Sequence, residues 1–274
     1  LLASSAASDV YKRQKQTYVK YLIVAVLAGG FLFTSCRSAR ETTANYEVVG
    51  VKGSMITIDS VWDANPDKRA AEILKPYKDK VDAMMYEVIG TSEMIMDKGN
   101  PESLLSNLVA SVLQQAAVRV LGKPADMGLV NMGGLRNILP KGDITVGEIF
   151  EILPFENSLC VLTMKGTDMK RLFKAIASLH GEGVSGIRME ISKEGELLNV
   201  TIGGQPVKDD QSYTVATIDY LADGNGRMDA LLQAEKRVCP ENATLRGLFL
   251  EYVRKQTAEG KLITSRLDGR ISIK

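Results

Sequence analysis

The chain is poor in the residues that build metal centres, since its 274 residues include one histidine, His180, and three cysteines. Binuclear hydrolytic sites usually take several imidazoles, and no H-E-x-x-H pair or Cys/His cluster can form around a single histidine. Charge of one sign is also lacking, because 34 Lys and Arg residues face 33 Asp and Glu residues. This balance argues against a nucleic-acid-binding face, and the 45% apolar content argues against disorder. We therefore expect a globular chain with one core and with no cofactor or metal centre of its own.

The N-terminal part divides into three segments by composition. Residues 1–14 contain SSAASDVYKRQ, the translation of a transposon-type sequencing adapter, and we expect an artefact there rather than a short natural basic leader. Residues 15–36 resemble a lipoprotein signal peptide, with a basic start, the short apolar run YLIVAVLAGGFLF and an F-T-S-C lipobox. Cys36 is the predicted lipidation site, and ordinary cleavage near Ser35 is the alternative. The signal peptide and lipobox predict export and a lipid anchor. Residues 37–45 read as a polar tether without an acidic cluster directly after Cys36, so we expect the periplasmic side of the outer membrane.

Residues 46–274 mix strands and helices in an order that predicts one α/β domain of mixed α+β type, with a mixed β-sheet flanked by helices. Two β-branched runs, at 48–51 and 55–58, predict an opening hairpin. Apolar periodicity predicts helices at 67–85, with a kink or break at Pro76, and at 102–121, 167–179 and 244–256. Extended segments are predicted at 86–94, 127–131, 159–165, 187–191, 198–202, 213–218 and 271–274.

Two short patterns look like ligand motifs but lack the context that such motifs need. Residues 181–186 spell G-x-G-x-x-G, yet they follow a predicted helix and precede a strand, the reverse of a dinucleotide-binding turn. We expect a flexible connection there. Residues 223–226 look like the start of a calcium loop, but Arg227 and Ala234 stand where the fifth and twelfth positions need oxygen ligands.

The two remaining cysteines leave two readings open. Cys160 and Cys239 can form a disulfide, which an oxidising compartment permits. Alternatively, Cys160 is a buried free thiol, because it lies in the apolar run L-C-V-L.

Motifs that occur in one order along the chain carry a resemblance. They are E-x-x-x-x-N-L from Glu102, N-M-G-G-L-R at 131–136, G-D-I-T at 142–145, L-P-F-E-N at 153–157, K-G at 165–166, S-G-I at 185–187 and Y-L-A-D-G-N at 220–225. This set resembles the C-terminal, substrate-specificity domain of the 5'-nucleotidase family, which includes periplasmic UDP-sugar hydrolase and ecto-5'-nucleotidase. In complete members, a metallophosphatase domain holds two metal ions and hydrolyses the substrate, whereas the C-terminal domain binds the nucleoside. The resemblance thus implies a stand-alone specificity domain, with the divalent metal only in a partner metallophosphatase.

The resemblance also implies a nucleotide pocket without catalytic residues. Phe155 and Tyr220 match two stacking positions, where each ring contributes about 1–3 kcal/mol to base binding. Asn131 matches the residue that hydrogen-bonds the base edge, and Arg136 matches a phosphate-facing arginine. The predicted substrate-binding set is Asn131, Gly133, Gly134, Arg136, Phe155, Tyr220, Asp223 and Asn225.

Two departures from the family pattern concern ribose and phosphate. Gly226 and Arg227 stand where the family carries a ribose-binding aspartate, so Asp223 or Asn225 would have to replace it. Residues 98–100, K-G-N, stand where a second phosphate-binding arginine is expected.

Three functions follow as alternatives. The chain is the recognition half of a split 5'-nucleotidase with a separately encoded metallophosphatase, a non-catalytic nucleoside-binding lipoprotein, or a structural relative with a decayed pocket.

Overall fold

The computed structural model describes residues 48–274, except for the side chain of Trp62. The predictions for residues 1–14, 15–36 with Cys36, and 37–45 lie outside the described residues. Asn65–Lys274 forms one compact unit, which carries every predicted substrate-binding residue. In the part before it, residues 48–58 form neither helix nor strand and are exposed throughout, so the predicted hairpin is wrong for these residues. Two strands without further sheet or helix to pack on are marginal in water, whatever their β-branched content.

The compact unit alternates helices and strands along the chain. Its helices are α1 (Lys68–Met85), α2 (Leu104–Ala116), α3 (Val118–Leu121), α4 (Val146–Ile152), α5 (Gly166–Ser178), α6 (Asp219–Ala222) and α7 (Leu245–Ala258). Its strands are β1 (Val88–Ser92), β2 (Met127–Val130), β3 (Gly142–Thr145), β4 (Leu159–Lys165), β5 (Gly183–Ser185), β6 (Ile187–Ile191), β7 (Leu197–Ile202), β8 (Gln205–Pro206), β9 (Ser212–Ile218), β10 (Lys236–Val238) and β11 (Ile271–Ile273).

The strands of this unit form three sheets, and the largest is mixed. Its order is β10-β4-β9-β2-β5, in which β2 and β9 run parallel and the other neighbours are antiparallel. A second sheet has the order β11-β6-β7-β8, with β11 parallel to β6, and β1 pairs with β3. The predicted α/β class with mixed sheet and flanking helices is confirmed, and the sheet is divided into three.

The helix α2 forms the centre of the core. The Ser103 side chain caps its start, and its apolar stripe is buried, as the periodicity predicts. The predicted single helix over 102–121 is divided at Ala117 into α2 and α3, and Gly122 ends α3 with a φ of 71°. Among the described residues, Leu104–Leu121 has the length and hydropathy of a membrane span, but half of it is buried within the protein. Such burial is typical of a core helix.

Two other expectations need correction. Of the predicted kink or break at Pro76, the break is wrong, because the helix α1 runs through this residue. The segment at 181–186 is not a flexible connection, since it contains the buried strand β5, which pairs with β2. A Cβ on Gly181 would lie 2.4 Å from the carbonyl oxygen of Pro101, so close packing explains this glycine.

The two cysteines are bridged in the structure. Cys160 in β4 and Cys239 directly after β10 form a disulfide between neighbouring strands, with their Cα atoms 4.2 Å apart. Of the two readings that the sequence left open, the structure thus contains the bridge.

Candidate functional site

Four strand ends bring the predicted residues to one edge of the five-stranded sheet. The parallel strands β2 and β9 end there, and they are followed by Asn131 and Tyr220. The antiparallel strands β4 and β5 begin at the same edge, preceded by Phe155 and Glu182. The topology therefore places residues from four separate parts of the sequence together, and we call this region the sheet-edge site.

Asn131 has an unsatisfied polar atom at the sheet-edge site. Its backbone carbonyl accepts a hydrogen bond from the N–H of Gly134 at 3.0 Å, which closes the short 3-10 helix Met132–Gly134. Its side-chain Oδ1 is buried and has no hydrogen-bond partner within residues 48–274. A buried acceptor without a partner costs about 1–3 kcal/mol. This unpaired acceptor makes Asn131 the candidate group for a ligand donor, such as an amino group on the edge of a base.

Gly133 and Gly134 leave space around the Asn131 amide. A Cβ on Gly134 would lie 3.1 Å from Oδ1 of Asn131, and a Cβ on Gly133 would lie 3.5 Å from its Nδ2. Side chains at these two positions would crowd the amide, because the first of these distances is tighter than ordinary van der Waals contact.

Glu182 is a member of the site that the sequence did not reveal. Its carboxylate accepts a hydrogen bond from the backbone N–H of Met132, next to Asn131. Burial raises the pKa of Glu182 to about 7, although the hydrogen bond from Met132 acts in the opposite direction. The carboxyl group therefore changes protonation near neutral pH. It lies beside Asn131, whose amide is predicted to hydrogen-bond the edge of the base.

The two predicted stacking rings are accessible. Phe155 is 48% exposed and Tyr220 is 43% exposed, and the two rings make no contact with each other in the described part of the chain. The backbone near Phe155 is fixed by the buried Arg246, which donates hydrogen bonds of 3.1 Å to the carbonyl oxygens of Leu153 and Pro154. A rigid support under an exposed ring lowers the entropy cost of stacking on it.

Two cations lie beside Asn131 and its glycines. Arg136 is exposed and donates a weak hydrogen bond of 3.4 Å to the carbonyl oxygen of Gly133. The ammonium group of Lys98 donates to the carbonyl oxygen of Leu135, the residue before Arg136. Within residues 48–274, neither cation forms a salt bridge with a carboxylate. Lys98 thus supplies a positive charge in the segment where the second arginine is missing.

The loop after Tyr220 is less open than the sequence suggests. The Asp223 carboxylate pairs with the Arg237 guanidinium at 2.6 Å, so it is already engaged. Asn225 is exposed, and Gly226 and Arg227 both have a φ of 66°. A Cβ on Gly226 would lie 3.8 Å from a ring carbon of Tyr220, so this glycine borders the ring.

Other residues of the motif set serve the fold. The Glu102 carboxylate accepts hydrogen bonds from the Asn107 amide at 2.6 Å and from the backbone N–H groups of Asp268 and Arg270 at 3.0 Å. We call this cluster the Glu102 clasp, because it joins the start of α2 to the segment before β11. In the G-D-I-T motif, Thr145 forms a capping box with Glu148 at the start of α4.

Four cavities of about 260–380 Å³ are described on other parts of the compact unit. None of them is lined by a residue of the predicted set. The sheet-edge site is distinguished by its unsatisfied amide, exposed rings and unpaired cations. Within residues 48–274, no group of three or more metal-ligating side chains is found. That the chain lacks a metal centre stays a prediction.

Comparison with known proteins identifies the domain. The family described as 5'-nucleotidase, C-terminal domain, matches residues 86–233. The crystal structure of a 5'-nucleotidase precursor from Thermus thermophilus superposes with a TM-score of 0.64 at 27% identity, over 77% of this chain and 44% of that chain.

Two curated relatives add sequence similarity. Endonuclease YhcR of Bacillus subtilis is 31% identical over 169 residues, which cover 59% of this chain and 13% of that protein. Cell wall protein Lmo0130 of Listeria monocytogenes is 26% identical over 233 residues, which cover 75% of this chain and 29% of that protein. The chain thus spans well under half the length of each relative.

Proposed function

Because this chain belongs to the 5'-nucleotidase C-terminal domain family, we propose that it is the nucleotide-recognition half of a split 5'-nucleotidase. In this proposal, a separately encoded metallophosphatase holds the divalent metal ions and performs the hydrolysis. The observation that carries the proposal is the buried, unpartnered Oδ1 of Asn131 at a sheet edge that also presents Phe155 and Tyr220.

The chemistry of the sheet-edge site suits a nucleoside monophosphate. The base stacks on the rings of Phe155 and Tyr220, since aromatic stacking needs only flat faces. The Asn131 amide satisfies its orphan acceptor with a donor on the base edge. Arg136 and Lys98 attract the phosphate, and Arg136 can bind two of its oxygens at once. The domain would thus hold and orient the substrate while the partner reacts with it.

Two experiments test this function. Calorimetry with AMP and with adenosine measures binding to the chain alone, and we expect heat from both. Nucleotide hydrolysis is then measured for the metallophosphatase alone and for the mixture, and we expect a higher rate for the mixture. A mixture no faster than the phosphatase alone would contradict the split enzyme.

The pairing of Asp223 with Arg237 favours the decayed pocket, since it engages one of the two residues that could replace the ribose-binding aspartate. The exposed rings of Phe155 and Tyr220 and the unpartnered Oδ1 of Asn131 also suit a non-catalytic nucleoside-binding lipoprotein, which is the second candidate. Binding of adenosine without any effect on the phosphatase would support this candidate. Absence of heat from every nucleoside and nucleotide would instead support the decayed pocket.

Export and a lipid anchor belong to the same proposal. The lipobox that ends at Cys36 supports an anchor, and the similarity to a cell wall protein supports a place outside the cytoplasm. Radiolabelled palmitate incorporation that is lost in Cys36→Ala would test the anchor, and membrane fractionation would test its position on the periplasmic side of the outer membrane.

A further inference from the structure

The helix α1 presents an apolar face that the described part of the protein does not cover. Ile73, Tyr77, Val81 and Met84 recur at positions i, i+4, i+8 and i+11, so they lie along one side of the helix. These four side chains are 50–69% exposed, and no residue of α1 is buried. Leu74 extends the same face. Contiguous apolar surface of this kind marks an interaction site in a soluble protein.

The sequence of α1 does not make the helix stable by itself. Pro76 lacks the backbone N–H for one helical hydrogen bond, and its ring disfavours a helix interior. The stabilising features are the Asp67 N-cap and two exposed ion pairs, Lys75–Asp79 and Lys78–Asp82, which are weak. Helical stability in proteins comes mainly from packing of the apolar face. Within residues 48–274, α1 lacks such packing along most of its length.

The C-terminal end of α1 is anchored to the rest of the compact unit. Met85 packs against α4, where its carbonyl oxygen would lie 3.1 Å from a Cβ on Gly147. The next residues are held by the carbonyl oxygen of Glu87, which accepts from the N–H of Val146, and by the ion pair of Glu87 with Arg254. The helix therefore projects its apolar face from a fixed base.

The position of α1 in the chain indicates what covers this face. The matched family domain begins at residue 86, directly after α1, and the family is defined as a C-terminal domain. This chain covers 44% of the Thermus thermophilus 5'-nucleotidase precursor, so more than half of that protein lies outside the matched part. In such a longer relative, the additional part precedes the C-terminal domain. The helix α1 is thus the element nearest to that additional part.

We propose that the apolar face of α1, formed by Ile73, Leu74, Tyr77, Val81 and Met84, is the docking surface for the separately encoded metallophosphatase. This inference rests on the proposed split enzyme, in which no covalent link holds the two halves together. Arg69 and Lys80 border one side of the face, so an acidic rim on the phosphatase complements it. Association through α1 also orders the helix that leads directly into the recognition domain.

The test compares one variant on the face with one on the opposite side of the same helix. Tyr77→Lys places a charge at the centre of the apolar face, and Glu72→Lys places the same residue on the polar side. The probe is the metallophosphatase of the same genome that has no C-terminal specificity domain of its own. Its binding to the full chain is measured by interferometry, with stimulation of AMP hydrolysis as a second readout. We expect Tyr77→Lys to weaken binding at least tenfold and Glu72→Lys to change it by less than twofold.

The outcomes separate this inference from the proposed function. If the mixture hydrolyses AMP faster and Tyr77→Lys binds as well as the unaltered chain, the split enzyme stands and the docking surface is wrong. If the complex forms through Tyr77 but hydrolysis is unchanged, the docking surface stands and the split enzyme is wrong. If the genome encodes no such phosphatase, or it does not bind, the docking surface is wrong, and calorimetry with AMP still reports on the recognition site.

Two further measurements address other occupants of the face. A dimer of the chain alone that is lost in Tyr77→Lys would overturn the proposal in favour of a second copy. A melting temperature of Tyr77→Lys well below that of Glu72→Lys would show that the chain itself covers the face, and this would overturn the proposal as well.

Discussion

The Glu102 clasp and the sheet-edge site contain residues from the same set of family motifs, but their polar groups have opposite environments. In the clasp, the Glu102 carboxylate receives three hydrogen bonds from within the chain. At the sheet edge, Asn131 Oδ1 has no partner within residues 48–274, and Arg136 has only one weak hydrogen bond to a backbone carbonyl. Motif membership alone therefore does not indicate ligand binding. The residues to test for binding are those without a structural role.

The clasp should dominate stability. Glu102→Ala removes three hydrogen bonds to a charged acceptor. Because such bonds contribute about 1.5–3 kcal/mol each, we expect the free energy of unfolding to fall by about 4 kcal/mol or more. Urea unfolding measures the change. Nucleoside affinity of the folded fraction should not change. A large loss of affinity at unchanged stability would show that Glu102 acts in ligand binding rather than in the fold.

Phe155→Ala should have the reverse effect. Loss of one stacked ring reduces nucleoside affinity by about 1–3 kcal/mol, which is about fivefold to 150-fold, whereas stability should change by less than about 0.5 kcal/mol because the ring is half exposed. Calorimetry with adenosine measures the affinity. Leu198→Ala is a matched control, since it removes an equally exposed apolar side chain from β7. Equal affinities for both variants would remove Phe155 from the site.

Glu182 should make stability depend on pH near the site. Its pKa is raised from 4.5 in the unfolded chain to about 7 in the folded protein, so the folded state binds more protons between these values. The contribution to stability is therefore fully present below pH 4.5 and is lost as the pH rises through 7. We expect a loss of about 3 kcal/mol across this window, and we expect Glu182→Gln to lack it. The expectation would be contradicted if the free energy of unfolding changed equally between pH 4 and pH 8 in both proteins.

Arg136→Met should have the smallest effect and act on phosphate alone. Because Arg136 is exposed, one charge-assisted contact contributes about 1 kcal/mol, so AMP should bind about fivefold more weakly. Adenosine affinity should stay the same, and Lys98→Met should give a similar pattern. A parallel loss for adenosine and AMP would mean that Arg136 supports the loop rather than the phosphate.

Much of the fold was predictable because burial imposes a period on the sequence. The strands at 159–165 and 187–191 are predicted to the residue, and the buried stripe of α2 follows its apolar spacing. The absence of the hairpin at 48–58 was not predictable, since a β-branched run forms a strand only where it can pair with and pack on other strands. The strand β5 was missed because three of the six residues at 181–186 are glycines, which are typical of turns. Their role becomes visible only in the folded chain, where Gly181 packs closely against the Pro101 carbonyl oxygen.

The family and the candidate residues follow from the sequence alone, because side-chain chemistry and order along the chain are local properties. Which of those residues already have hydrogen-bond or ion-pair partners is a property of the folded chain. Glu182 was invisible in a glycine-rich segment until β5 paired with β2 and placed its carboxylate on the Met132 N–H. The same folding engaged Asp223 with Arg237 and left Asn131 Oδ1 without a partner among the described residues. Desolvation and hydrogen-bond satisfaction depend on neighbours distant in sequence, and these neighbours exist only once the chain has folded.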